Sequence, residues 1–164
     1  RYPLVTGVQT CALPISLGAD QIRLPIAGDG AAAIMTVNDL DEYARFRAGL
    51  KEQSTVALIG AGLIGSEFAN DLTAGGHRVH VIDIAAWPLS RLLPQQGGAL
   101  LQQKLAALGV SWHLGTSVAS VFRNAERFCI ALADGTSFDA DLVLSAIGLK
   151  PRTALAQEIG RAHV

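Results

Sequence analysis

Gly60, Gly62 and Gly65 stand at the spacing G-x-G-x-x-G, and Asp83 follows the last of them by some twenty residues. Each glycine has its own job in a turn that meets a phosphate. Gly60 permits the tight turn, Gly62 lets the backbone approach a pyrophosphate, and Gly65 lets the following helix pack close to its strand. The free N–H groups and positive dipole end of that helix then face the anion. Asp83 is placed to accept a hydrogen bond from the adenosine ribose. A carboxylate accepts from a 2′-hydroxyl and repels a 2′-phosphate. Ile84, Ala85, Ala86 and Trp87 come next and the first cation is Arg91, so NADH is favoured over NADPH.

A glycine triplet alone is weak, so the elements around it decide its meaning. Thr55–Ile59 is a hydrophobic run that predicts a strand, residues 63–74 a helix stopped by Gly75 and Gly76, and Arg78–Asp83 a second strand that ends on the acid. Ile64, Phe68 and Leu72 recur every four residues, which predicts one helix face against the sheet. A second helix is expected over 95–108, with Leu100, Leu101, Leu105 and Leu108 apolar and Gly109 closing it. Val110–Leu114 is then the third strand of a βαβαβ unit. Upstream, Asn38 is a plausible N-cap with Asp39, Asp41 and Glu42 in the first turn, and Tyr43 and Phe46 read as core residues of that helix. Downstream the period changes to that of short strands at 118–122 and 128–132. The Asp134-Gly135 turn leads into 136–138, so a three-stranded antiparallel meander is expected. Residues 142–146 form a last buried strand. The fold class is α/β: a Rossmann-like βαβαβ domain with a parallel sheet and an added meander.

The chain has 164 residues, half of them hydrophobic and only 16% charged, which fits one well-buried domain. A net charge of −1 gives no electrostatic case for nucleic acid or an anionic membrane surface. No apolar run approaches the roughly 18 residues of a membrane span. Both ends differ from the middle: residues 5–15 resemble a translated sequencing-library adapter, and 159–164 resemble the same adapter read outward. The natural segment is expected to run from about Leu17 to Gln157. With Cys11 set aside, Cys129 stands alone within a strand and reads as a small buried hydrophobe; the lack of CxxC fits a reducing, cytoplasmic setting. His77, His80 and His113 lack ligand spacing, so no metal site is expected, and Trp87 and Trp112 read as packing.

A second glycine signal, Ser145 to Arg152, resembles the A-x-G-x-x-P turn that closes the NAD domain of flavoprotein reductases carrying two dinucleotides. Gly18-Ala19 is similar to the remnant of the equivalent turn of an FAD domain. The runs Val37–Arg47, Gly62–Leu72 and Gly148–Leu155 resemble the FAD-dependent rubredoxin–NAD(+) reductases, of the pyridine nucleotide-disulfide oxidoreductase superfamily, and the resemblance covers about 17–157. It implies a flavoprotein that takes hydride from NADH onto FAD and passes single electrons to rubredoxin or a similar small protein. On that basis 17–50 is the end of the FAD domain with a linker helix, 51–148 the NAD(H)-binding domain and 149–158 the return linker. FAD would be held mostly by regions outside this chain, which alone is not expected to turn over.

The resemblance also sets further site residues. Leu63 and Ile64 open the helix near the pyrophosphate and nicotinamide half, and Glu67 lies near the nicotinamide. An acid there is also favoured by the helix dipole alone. Val118 is where this fold usually packs adenine, and Ala146, Ile147 and Gly148 bring backbone close to the nicotinamide side. No catalytic acid, base or nucleophile is required, because hydride transfer between NADH and flavin is cofactor chemistry. Two other readings stay open. One is an NAD domain of another FAD-dependent reductase, serving ferredoxin, nitrite, dioxygen or a disulfide. The other is a non-catalytic NAD-sensing module.

Overall fold

The computed structural model describes residues 16–158 and 160; the adapter-like ends at 1–15, 159 and 161–164 lie outside the described residues. The chain divides into two units, one made of residues up to Asp20 with those from Leu149, the other of Gln21–Gly148. In the first, strand β1 (Ala19–Gln21) pairs with β9 (Leu149–Pro151), followed by the short helix α4 (Ala154–Glu158). Arg152 Nε donates to Asp20 Oδ1 at 2.8 Å, and the Arg152 N–H donates to the Gly18 carbonyl at 3.0 Å.

The second unit is built on a parallel sheet of β2 (Thr55–Ile59), β3 (Arg78–Asp83), β4 (Val110–Leu114) and β8 (Leu142–Ser145), in the order β4-β3-β2-β8. Register runs Val56 to Val79 and Val79 to Val110 on one side, and Val56 to Leu142 on the other. All five residues of β2 are buried. A continuous apolar run of this kind suits a parallel strand covered on both faces. One face carries the helices α1 (Leu40–Gly49), α2 (Leu63–Ala74) and α3 (Gln95–Ala107). Phe46, Ala69, Leu72 and Leu105 pack there on Val56, Leu58, Val79 and Val81. The other face carries the antiparallel meander β5 (Val118–Asn124), β6 (Arg127–Leu132) and β7 (Ser137–Ala140). Val121, Ile130, Leu132 and Ala140 pack there against Ala57, Ile59, Ile82 and Val143. The expected βαβαβ unit and meander are both present.

Three local expectations are corrected. The N-cap of α1 is Asp39, whose Oδ1 accepts the Glu42 N–H at 2.7 Å; Asn38 instead donates its N–H to Glu42 Oε2 at 2.7 Å. The pair forms a reciprocal cap of the capping-box kind, shifted by one residue. Tyr43 is 41% exposed and not a core residue, whereas Phe46 is buried. On α2 the sheet-facing residues are Gly65, Ser66, Ala69 and Leu72, while Ile64 is 50% exposed. Close approach of α2 to β2 leaves room only for small side chains. The larger Phe68 turns to α1 and meets Phe46 edge to face at a centroid distance of 5.6 Å.

Candidate functional site

At the C-terminal end of β2 the chain enters the glycine turn. Gly60 has φ +111° and donates its N–H to the Ile82 carbonyl at 2.8 Å. A Cβ on it would sit 2.7 Å from the Ala146 carbonyl oxygen, so conformation and space both exclude a side chain. Gly62 is the N-cap of α2, and a Cβ there would meet nothing within 4 Å. Gly65 is the tightest point, because its Cβ would fall 1.9 Å from the Gly60 carbonyl oxygen. The three glycines therefore differ in kind: two are required by the fold, and nothing in the fold requires Gly62 to be glycine. Leu63 and Ile64 begin the helix, where backbone N–H groups have no acceptor within it. Their side chains are 53% and 50% exposed.

This turn sits where the strand order reverses. From β2 the chain passes through α2 to β3 on one side, while β8 flanks β2 on the other. The crevice at the carboxyl ends of the strands on such a reversal is where open α/β sheets hold ligands. Beyond β8, Ala146 donates its N–H to the Ile59 carbonyl at 2.7 Å, which lays Ala146, Ile147 and Gly148 alongside the glycine turn. Gly148 has φ +114°, a conformation that favours glycine.

Asp83 ends β3 on the opposite side. Its Oδ2 accepts the Ala61 N–H at 2.6 Å and its Oδ1 accepts the Ala85 N–H at 2.7 Å. Each carboxylate oxygen has two acceptor sites, so capacity for hydroxyl donors remains on both. The connection from β4 to β5 crosses here. Gly115 donates its N–H to the Ala85 carbonyl at 3.0 Å and Thr116 donates to the Asp83 carbonyl at 3.2 Å, which brings the chain to Val118 at the start of β5. Val118 is half-buried. The sequence-predicted residues Gly60, Gly62, Leu63, Gly65, Asp83, Val118 and Ala146 to Gly148 thus gather at one end of the sheet. Ile64 and Glu67 also line a groove of about 520 Å³ between α1 and α2, together with Tyr43, Phe46, Arg47 and Phe68.

Two features have no counterpart in the sequence reading. Leu89 holds a left-handed backbone (φ +56°) and donates its N–H to the Ala61 carbonyl at 2.9 Å. Leucine carries no signal for such a conformation, unlike glycine or asparagine. His80 and His113, read as scattered, meet with Nδ1 and Nε2 3.0 Å apart. Phe138 stacks on both rings, at centroid distances of 4.2 and 4.9 Å. Burial pushes both imidazoles below the ordinary histidine value; the charge of His113 and then of Arg78 adds to this at His80, and Asp134 opposes it at His113. Among the described residues no cluster of three or more His, Cys, Asp or Glu is arranged to hold a metal ion. Cys129 is half-buried in β6 and free. Also among the described residues, no helix is long and apolar enough to cross a membrane.

The sequence matches the pyridine nucleotide-disulphide oxidoreductase family over residues 8–163. The chain belongs to that family. Among its relatives within the family, the rubredoxin-NAD(+) reductase of Alcanivorax borkumensis is 42% identical over 149 residues, which is 90% of this chain and 39% of the relative. That of Acinetobacter baylyi is 43% identical over 152 residues, with the same coverage of 90% and 39%. The chain therefore spans about two fifths of the length of these family members, whose names are those of oxidoreductases. In structure, the water-forming NADH oxidase from Lactobacillus brevis bound to NADH superposes with a TM-score of 0.78 at 25% identity, over 87% of this chain and 32% of the other. The α/β architecture, with its parallel sheet and meander, is that of flavoprotein reductases.

Proposed function

We propose that this chain is the NAD(H)-binding domain of a flavoprotein reductase that passes electrons from NADH through FAD to rubredoxin. The observation that carries the reading is the open space in front of Gly62, where an added Cβ would meet nothing within 4 Å, beside first-turn N–H groups of α2 that have no acceptor within the helix. A pyrophosphate fits it in both charge and space. Leu63 and the turn glycines would hold the pyrophosphate, Asp83 the adenosine ribose and Val118 the adenine. Ile64, Glu67 and the backbone of Ala146, Ile147 and Gly148 would border the nicotinamide. NADH supplies the hydride, and the chain's part is to orient the nicotinamide toward a flavin held mostly by regions outside it. Residues 17–50 and 149–158 are then the connections to the flavin-binding part. Rubredoxin as acceptor is supported by the names of the relatives at 42% and 43% identity.

Binding of NADH should exceed that of NADPH, because a carboxylate and not an arginine stands at the end of β3. Fluorescence titration of the chain with each nucleotide measures the ratio. Asp83→Ala should narrow it by about tenfold, the loss of one charge-assisted hydrogen bond. A ratio unchanged by the substitution would show that Asp83 does not face the ribose.

A further inference from the structure

Ala61, between the first two glycines, is held from both sides by groups outside the glycine motif. Its N–H donates to Asp83 Oδ2 at 2.6 Å. Its carbonyl accepts the Leu89 N–H at 2.9 Å, with the buried Ser66 Oγ 3.4 Å from the same oxygen. Ala61 is 2% exposed, so water cannot readily replace a lost partner. The loop that carries Leu89 is itself fixed. Pro88 is fully buried, and Trp87 donates its Nε1–H to the Leu93 carbonyl at 3.2 Å. The Trp87 ring lies so close to α3 that a Cβ on Gly98 would fall 2.3 Å from it. Leu89 keeps its left-handed backbone inside this packed loop, and that conformation aims its N–H at Ala61.

We propose that Asp83 is a positioning residue for the phosphate turn as well as a ribose acceptor: with Leu89 it clamps Ala61 and so presets the turn before a dinucleotide arrives. The inference rests on the dinucleotide reading of this site. Its physical content is a difference of sign. A carboxylate that acts only at the ribose repels a 2′-phosphate, so its removal weakens NADH and strengthens NADPH. A carboxylate that also holds the turn is needed by both nucleotides, since both present the same pyrophosphate to Gly62 and the first turn of α2. Without it the Ala61 N–H is buried with no acceptor, and the turn rearranges to find one.

The test uses the 164-residue chain with Asp83→Ala and, as the variant that best preserves shape, Asp83→Asn. The Asn side chain puts an NH2 donor in place of one of the two oxygens, so either the Ala61 or the Ala85 N–H faces a donor where its acceptor was. Amide hydrogen exchange is followed by NMR without nucleotide, and NADH and NADPH affinities by titration. The expected result in Asp83→Ala is exchange at Ala61 faster by about tenfold or more, with NADPH affinity reduced and NADH affinity reduced about tenfold further, so that the ratio still narrows. In Asp83→Asn the same acceleration is expected at Ala61 or Ala85. Unchanged exchange in both variants, or a gain in NADPH affinity on substitution, overturns the proposal. If the unsubstituted chain binds neither nucleotide, the dinucleotide reading fails instead, and the exchange measurement still decides whether Asp83 holds the turn.

Discussion

Gly62 and Gly65 look equivalent in the motif, yet the structure gives them opposite reasons to be glycine. Gly62→Ala places a methyl group in open space at a backbone (φ −72°) that alanine adopts without strain. The fold should keep its stability, or gain a few tenths of a kcal/mol from reduced freedom of the unfolded chain. Nucleotide binding should weaken about tenfold or more, because the methyl group would occupy the space that the proposed function gives to the pyrophosphate. Gly65→Ala drives a methyl group to 1.9 Å from the Gly60 carbonyl oxygen, and α2 must shift from β2. That variant should lose about 3 kcal/mol or more of stability, at the upper end of overpacking costs. Chemical denaturation and nucleotide titration of both variants check the pair, and equal destabilisation would contradict it. The tight turn at Gly60 and the close helix packing at Gly65 were legible in the sequence, because the glycine spacing itself carries both. The Leu89 contact to Ala61 was not, since a left-handed leucine is fixed by its packed loop and leaves no mark in residue type.

At the level of elements, strand limits followed from local pattern: Thr55–Ile59, Arg78–Asp83 and Val110–Leu114 are where the apolar runs predict them. The face of α2 followed only in part: Leu72 is buried in the core and Phe68 packs at its edge, but Ile64 is exposed, because periodicity weighs large apolar residues and the sheet here selects small ones at Gly65 and Ala69. The His80–His113 pair was hidden for another reason. It depends on the register of β3 against β4, where Ile82 lies opposite His113, and so places His80 and His113 as diagonal neighbours on the meander side of the sheet. This pair makes the packing of the meander sensitive to acid. Both imidazoles titrate below the ordinary value when folded, so between the folded and unfolded values the unfolded chain binds more protons. Stability is therefore complete above about pH 6.5 and falls as pH drops below it toward the folded values. Arg78 reinforces the effect at His80, while Asp134 offsets part of it at His113. Thermal unfolding at pH 7.5 and pH 5.5 should show a lower midpoint in acid, and His80→Gln should flatten that dependence. An equally steep profile in the variant would mean that other groups carry it.

The whole molecule raises the question of where its stability resides. Both hydrophobic clusters draw their residues from within Gln21–Gly148, including the apolar side chains of β2, β3, β8 and the meander. The other unit contributes β1, β9 and the short α4, in which no residue is buried. Its Asp20–Arg152 pair is exposed, and ion pairs of that kind add little to folding. A chain trimmed to residues 21–148 should therefore unfold in one cooperative transition, with a midpoint within about 4 °C of the 164-residue chain, the shift expected for a change of at most about 1 kcal/mol. Nucleotide affinity should also be kept, because Gly60 to Gly65, Asp83, Val118 and Ala146 to Gly148 are all retained. Calorimetry and NADH titration of the trimmed chain test this together. A broad or multistep transition would show that residues outside 21–148 are needed to complete the core. A cooperative transition with lost NADH binding would mean that residues from Leu149 onward, or those up to Asp20, contribute to the site. The relatives are more than twice as long as this chain, and a unit 21–148 that folds by itself would leave the rest of such a length free to be joined at its two ends.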